Sequence, residues 1–508
     1  MTAWIDVVSR TLDEIGGGPP PVVSIMRGLN TSQGGRTRAV LSRSSVLARQ
    51  HPTIIVVISP QPQFDDELRE ARSTGLVSRD VKFIPFIPSL LATIRCDDQG
   101  TSWCSSPEVL AVLDDVHDDW ESVQFQASEV LPPEIVGRLF ARGSVEIRRR
   151  APHWDDLRWV QLRNRSQRTI VDFFVDLRTS HFVRSVRPLG SPWYENPRLE
   201  VGVWSRRGGF RNLGSLGSAF RTLMAEFERR CVLTVISDVL EHDTFALPSS
   251  DRRAVLAQLH GRSFGRVLNG RLLDAFVFLT AEQHGDAIRK VSTRRSASWI
   301  IPHPTPEGAS LPASPPVRDR GRVVVLGRLV KEKRVDHVIR AFARVLQRTR
   351  DRAYHLEILG IGPDLARLQD LATELGIGDH VNFGGFEHRP MDALASAGVS
   401  VLASEKEGAG LVLLESLAVG TPVVAYDIKY GPREFVEDGV NGFLVPSGDV
   451  DALAARLDAL LDLPDERYRS MVGEARRAAD RYDMSRYEAR WNDLLGSVRR
   501  RSGPVSRT

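Results

Sequence analysis

From about Arg322 onward the apolar residues fall in short unbroken runs, VVVLG, HLEILG, HVNFGG, VSVLAS, TPVVAY and GFLVP. Runs of that length bounded by glycine or polar residues are what strands buried on both faces look like. Between them, VDHVIRAFARVLQ, PDLARLQDLATELG and LVLLESLAVG carry apolar residues at helical spacing. Strand and helix in regular alternation predict a parallel sheet covered on both faces. The chain opens in the same way, with PPVVSIMRGL and TIIVVIS as strands and GGRTRAVLSRSSVLARQ as the helix between them.

Between about residues 122 and 213 the pattern changes. SVEIRRRA, RWVQLRNR, TIVDFFVDLRT and RLEVGVWS are short alternating segments separated by turn residues, which predicts an antiparallel β insertion. The α/β pattern returns with CVLTVISD, RAVLAQLHG, DAFVFLTAE and SWIIPHP, and the proline-rich IPHPTPEGASLPASPP reads as a linker. Near the end, YDMSRYEARWNDLLGSV has helical periodicity and a tryptophan that could anchor it, and RRRSGPVSRT reads as a frayed basic tail. The expected fold class is therefore α/β, with two Rossmann-like doubly wound domains. The first, 1–316, carries the β-rich insertion at about 122–213. The second is 317–480, followed by a helix at 481–500 that packs back on the first domain and a tail at 501–508.

The length of 508 residues supports two domains rather than one, and 42% apolar with 26% charged residues is ordinary for a globular enzyme. No apolar run is longer than a strand, so neither a signal peptide nor a membrane span is expected, and the predicted location is cytoplasmic. Cys96, Cys104 and Cys231 form no CxxC, which fits reduced thiols and argues against a structural zinc site. The net charge is +4, but residues 138–211 hold sixteen arginines, no lysine and seven acids, a surplus of nine positive charges. That segment is either an anion-facing surface or a solvated basic face. It contains no recognisable nucleic-acid-binding module, so nucleic acid is not an expected partner.

Candidate chemistry concentrates in EGAGLVLLE, residues 407–415. Glu407 should end a strand's loop and the glycines should open a helix, which is the edge where open α/β sheets bind ligands. Free amides there favour an anionic oxygen. Glu415, early in that helix, needs hydrogen-bond donors; sugar hydroxyls could supply them, or it could pair with another element or lie partly exposed. In GRLVKEK, Arg328 and Lys333 occupy another strand-to-helix loop, where two cations could neutralise a diphosphate. The chain has six lysines beside 62 arginines, and Lys331, Lys333, Lys406 and Lys429 all fall in such loops. GIGPDL lacks the third glycine of a dinucleotide fingerprint, and DDVHDDW at 114–120 reads as a solvated acidic turn rather than a metal site.

GRLVKEKRVDHVIRAF, ILGIGPDLARL, EGAGLVLLESLAVGTPVVAYD and GPREFVEDGVNGFLVPSGDVDALA, in that order, resemble the donor half of retaining GT-B glycosyltransferases of the large family-four type over about 322–461. The resemblance implies a GT-B fold, two domains facing a cleft, and no cofactor or metal. It also implies that Arg328 and Lys333 hold the diphosphate of a nucleotide-sugar, that Glu407 binds the donor sugar near its 3-hydroxyl, and that Glu415 holds the ribose. The amides of Gly408, Ala409, Gly410 and Leu411 would line the sugar and phosphate; Ala409 departs from the bulkier residue often found there, which leaves the donor sugar open. Gly35, in TSQGGRTRAVL, resembles the family's phosphate-touching glycine loop, an ordinary tight turn being the competing reading. His260 resembles the family's cleft histidine near the sugar 6-hydroxyl, although a lone histidine is commonly structural.

A narrower resemblance rests on YDIKYGPREFVEDGVNGFLV, which is similar to enzymes adding α-linked glucose or N-acetylglucosamine to teichoic acids or serine-rich adhesins. It implies a UDP-sugar donor, either UDP-glucose or UDP-N-acetylglucosamine, and a polyanionic polymer or a protein as acceptor. Peripheral association with the inner membrane face and self-association would both be compatible with that role. A glycolipid or capsule acceptor, or a catalytically silent acceptor-recognition subunit, are the alternatives.

Overall fold

The computed structural model of the chain describes residues 5–86 except 16–17, 27, 30–34 and 59–63, then the strands between 145 and 215. It also describes 216–501 except 239–246, 261–272, 291–295, 307–316 and 349–352. The DDVHDDW segment, Cys96, Cys104 and Gly34 lie outside the described residues. Two compact units are present: Met1–Thr31 with Val40–Ala257 and Ser502–Thr508, and Ser32–Ala39 with Gln258–Arg501.

The chain begins with α1 (Ile5–Ile15), β1 (Val22–Met26), α2 (Gly35–Leu47), β2 (Thr53–Val57), α3 (Phe64–Ser73) and β3 (Lys82–Pro85). Every residue of β1 and β2 is buried, as their unbroken apolar runs require. The predicted β insertion is a six-stranded meander of β4 (Val145–Arg148), β5 (Leu157–Asn164), β6 (Thr169–Asp176), β7 (His181–Pro188), β8 (Glu200–Trp204) and β9 (Phe210–Ser215). Each strand pairs antiparallel with the next. Its expected first part, 122–144, lies outside the described residues.

The parallel pattern resumes with α4 (Leu216–Arg230), β10 (Leu233–Ser237), β11 (Arg253–Gln258), β12 (Ala275–Phe278), α5 (Ala281–Lys290) and β13 (Ala297–Ile300). The sheet order is β13-β12-β11-β10-β1-β2-β3, so the meander is spliced between the third and fourth strands of a doubly wound sheet. Arg43 on α2 is fully buried and reaches Asp238, just past β10, at 2.9 and 2.6 Å, and Ser24 Oγ on β1 at 3.0 Å. Buried charges persist only when paired in this way, and the pair ties α2 to the carboxyl ends of β1 and β10.

The last third holds β14 (Asp319–Leu326), α6 (Val335–Arg348), β15 (His355–Leu359), α7 (Leu365–Glu374), β16 (Val381–Gly385), α8 (Pro390–Ser396) and β17 (Ala397–Leu402). It continues with α9 (Leu411–Ala418), β18 (Val423–Asp427), α10 (Pro432–Phe435), β19 (Gly442–Pro446), α11 (Val450–Leu461), α12 (Asp465–Ala479) and α13 (Met484–Arg501). The strands run parallel in the order β16-β15-β14-β17-β18-β19. Val323 and Val325 pack with Ile339 and Phe342 of α6 and Leu453 of α11, whereas Val324 between them packs with Met391 and Leu394 of α8. A strand whose alternate residues are all apolar is thereby buried on both sides. Trp491 on α13 is fully buried. Among the described residues, no helix is long and apolar enough to cross a membrane.

Candidate nucleotide-sugar site

In chain order the second parallel sheet reads 3-2-1-4-5-6, so its direction of winding reverses between the neighbours β14 and β17. Ligands of such sheets bind outside the carboxyl ends at that reversal. The loop after β14 supplies Arg328, Lys331, Glu332 and Lys333, and the loop after β17 supplies Ser404 through to Gly410. Sequence reasoning placed its two cations and Glu407 in these loops; the strand order is what makes them neighbours.

The β14 loop tightens into a single 3-10 turn, Lys331–Lys333, closed by Arg334 in the left-handed region at φ 47°. The β17 loop ends at Gly410, also left-handed at φ 75°, which serves as the N-cap of α9. A glycine takes that backbone angle without a Cβ penalty, and it leaves the first amides of α9 outside the helical ladder.

Three contacts stitch the loops together, and a fourth lies within the β17 loop. The Glu405 amide donates to the Glu332 carbonyl at 2.8 Å, and Lys406 Nζ pairs with Glu332 Oε1 at 2.8 Å. Lys333 Nζ donates to Glu407 Oε1, and Ser404 Oγ donates to the same oxygen at 2.7 Å. The hydrogen bond from Lys406 holds the Glu332 carboxyl below its ordinary range, with Arg328 and Lys333 adding to the effect. Arg328 is exposed, and its guanidinium makes no hydrogen bond or ion pair with the described residues. Its planar fork of donors is therefore open to an anion such as a diphosphate.

The Glu407 loop is backed by the segment after β18. The Tyr430 amide donates to the Glu407 carbonyl at 3.2 Å, and Tyr430 is 2% exposed. Gly431, at φ 108°, lies so close to Ala409 that a Cβ there would sit 1.8 Å from the Ala409 carbonyl oxygen. Ala409 points its methyl into a core with Leu402, Leu413, Leu414 and Phe435. The backbone of Gly408, Ala409, Gly410 and Leu411 is thus held from behind.

Glu415 on α9 is 8% exposed and lies 3.4 Å from Arg38 of α2, so the ion-pair alternative is the one the coordinates contain. Arg38 follows three residues after Gly35, the first residue of α2. His260 lies two residues beyond β11, half-buried, its ring over that of the buried His303 at 6.2 Å and 17°. Its backbone is fixed because the neighbouring Leu259 donates to the Val277 carbonyl at 3.0 Å and accepts from Gln283 Nε2 at 3.1 Å. No local signal marks Arg38 or Tyr430 as partners, whereas Ser404 could have been suspected from its place three residues before Glu407.

Residues 311–478 match the family described as Glycosyl transferases group 1. The chain is 33% identical over 296 residues to an exopolysaccharide phosphotransferase of Streptomyces coelicolor, covering 54% of this chain and 30% of that protein. It is 26% identical over 264 residues to the poly(glycerol-phosphate) alpha-glucosyltransferase of Bacillus subtilis, covering 49% of this chain and 38% of the other. These matches span about a third of the relatives' own length. Among solved structures, TarM of S. aureus with UDP bound superposes with a TM-score of 0.63 at 16% identity, covering 94% of this chain and 99% of the other. The pneumococcal O-GlcNAc transferase GtfA in complex with UDP and GlcNAc gives 0.59 at 15% identity, with coverage of 94% and 99%. At these identities the likeness is one of fold. The chain therefore has the GT-B fold, and within it residues 311–478 match the group 1 glycosyl transferases.

Proposed function

We propose that the chain transfers glucose or N-acetylglucosamine from a UDP-sugar to a hydroxyl of a polyanionic cell-wall polymer such as a teichoic acid. The observation that carries this reading is the open Arg328 guanidinium beside the Lys333 and Glu407 pair at the winding reversal of the second sheet. Cleaving the bond between sugar and diphosphate builds negative charge on the departing phosphate. Arg328, Lys333 and the first amides of α9 are the groups that would stabilise it, taking the part a metal plays elsewhere.

Glu407 offers its Oε2, which has no partner among the described residues, to a sugar hydroxyl, while its Oε1 is held by Lys333 and Ser404. Glu415 would hold the ribose, Gly35 would approach the phosphate or the acceptor, and His260 would face the sugar 6-hydroxyl. Attack from the face the phosphate leaves, with that phosphate taking the acceptor proton, would retain configuration at the sugar carbon.

The acceptor class rests on charge. A glycerol-phosphate polymer, the substrate in the name of the Bacillus relative, carries a negative charge per repeat, and the segment 138–211 carries the chain's surplus of positive charge. Peripheral association with a membrane surface belongs to the same proposal. The test is mass spectrometry of products from UDP- and GDP-sugars offered with poly(glycerol phosphate), poly(ribitol phosphate), protein and lipid acceptors. A hexose or N-acetylhexosamine added to polymer from a UDP donor is the expected result. Transfer confined to protein or lipid, or from GDP donors, would overturn it.

A further inference from the structure

Asp286, on α5, is far in sequence from every residue assigned above, yet it is the end of a short chain of contacts that reaches the Glu407 loop. Its carboxylate accepts from Tyr430 Oη at 3.0 Å, from Lys429 Nζ at 3.0 and 3.2 Å, and from Arg289 one turn along its own helix. The side chain is 12% exposed, and of its donors Tyr430 is buried whereas Lys429 and Arg289 remain exposed. Tyr430 is almost wholly buried, and a buried phenol needs a partner for its hydroxyl.

The other end of Tyr430 is its amide, which donates to the Glu407 carbonyl at 3.2 Å, and the next residue, Gly431, packs directly on the Ala409 carbonyl. The buried Tyr430 thus links the Asp286 carboxylate to the backbone of Glu407. The same helix holds the segment at a second point, where the Ala281 amide donates to Glu434 Oε2 at 3.1 Å, and Leu279 just before it joins the apolar cluster of Ala409 and Leu413.

We propose that Asp286 is a positioning residue for the Glu407 loop, acting through the Tyr430 hydroxyl rather than by touching substrate. Without that acceptor the buried Tyr430 hydroxyl loses a hydrogen-bond partner, and the loop carrying the Glu407 carboxylate and the amides of Gly408, Ala409, Gly410 and Leu411 loses one of its supports. Of the groups assigned to the diphosphate, Arg328 and Lys333 sit on the other loop, and only the first amides of α9 belong to this one. The consequence for the reaction in "Proposed function", on which this part rests, is a loss in turnover with nucleotide affinity kept. Misplacing a reacting group by about 1 Å can cost on the order of 10²-fold in rate.

The test uses the full chain as Asp286→Ala, Asp286→Asn, Tyr430→Phe and the double variant Asp286→Ala with Tyr430→Phe. Hydrogen exchange without any ligand is the first arm. Peptides covering 404–413 should exchange at least about fivefold faster in Asp286→Ala while those of α6 are unchanged, since local opening is read directly by amide exchange. Unchanged exchange at 404–413 overturns the proposal whatever the protein's activity. In the second arm, sugar transfer by Asp286→Ala should fall about tenfold or more while UDP binding by calorimetry keeps full stoichiometry and a Kd within about threefold. Stoichiometry falling in step with turnover would mean lost folded protein and would overturn it too.

Asp286→Asn keeps an acceptor for the phenol and should recover to within about threefold of the parent, and the double variant should be no worse than Asp286→Ala alone, because residues in one network are not additive. An Asn variant as slow as Ala, or an additive double variant, overturns the role of the Tyr430 hydroxyl. A parent chain that neither binds UDP nor transfers sugar would instead refute the proposed function, leaving the exchange arm to decide on Asp286.

Discussion

The Lys333 ammonium and the Ser404 hydroxyl both donate to the same oxygen of Glu407, leaving its second oxygen without a partner among the described residues. One carboxylate is thus both anchored and available. The anchor joins the loop after β14 to the loop after β17, so the residues expected to meet the diphosphate and the sugar are set relative to each other before any donor arrives.

Lys333→Ala should lower turnover by about 10² to 10³, the usual cost of removing one donor aimed at developing charge. Lys333 is partly exposed and makes one ion pair, so the variant should remain folded, with a thermal midpoint near the parent's. Steady-state kinetics with a UDP-sugar, together with a melting curve, checks both halves. Near-normal turnover would remove Lys333 from the reaction.

Gly431→Ala should be markedly destabilising. Its φ of 108° is costly for any residue with a Cβ, by about 1–3 kcal/mol, and the added carbon would fall 1.8 Å from the Ala409 carbonyl oxygen, forcing the backbone apart. Gly378→Ala is the control, because a Cβ there meets nothing within 4 Å. Thermal unfolding should show a midpoint lowered by several degrees for the first and barely moved for the second.

The Asp286 carboxyl is lowered from its ordinary 3.8 to about 2, first by the hydrogen bond from Lys429 and then by those from Tyr430 and Arg289. A depressed folded-state pKa contributes stability that is complete above the unfolded value and is lost as pH falls through the folded one. The urea midpoint of the parent should therefore exceed that of Asp286→Asn by a constant amount above about pH 5, and the gap should close between about pH 4 and pH 2. A gap that persists unchanged at pH 2 would contradict the ionic character of these contacts.

If the arginine surplus of 138–211 meets a polyanion, acceptor KM should rise severalfold as salt is raised from about 50 to about 300 mM, since exposed charges are screened over a Debye length of about 10 Å at 0.1 M. Donor KM should change less than about twofold over the same range, because Lys333 and Glu407, two of the groups proposed to meet the donor, are largely buried and partly buried charges are screened less. Initial-rate measurements at four or five salt concentrations separate the two. Parallel changes would point to a neutral acceptor.

The strands and helices of the second sheet were legible because residues buried on both faces leave continuous apolar runs, and β14, β15, β17 and β18 all fall where such runs stand. The meander was legible as a change of texture, but β7 and β9 were not singled out. HFVRSVRP and FRNLGS interrupt their apolar positions with arginine, asparagine and glycine, so alternation alone is a weak guide there. Glu407, Lys333 and Arg328 could be found because loops after strands in an α/β pattern have a known address. Asp286 could not, since it is 143 residues from Lys429 and 144 from Tyr430, and nothing local in AEQHGDAIRK marks the carboxylate as anything but a surface residue of a helix. Arg38 escaped for the same reason: pairing with Glu415 is a property of the fold and has no local signature.

The meander departs after β3, at one border of its host sheet, and hands the chain back through α4 to β10 beside β1, without interrupting any pairing of the parallel strands. It is attached like a cassette. A graft of another size or charge could take its place while the host strands kept their partners.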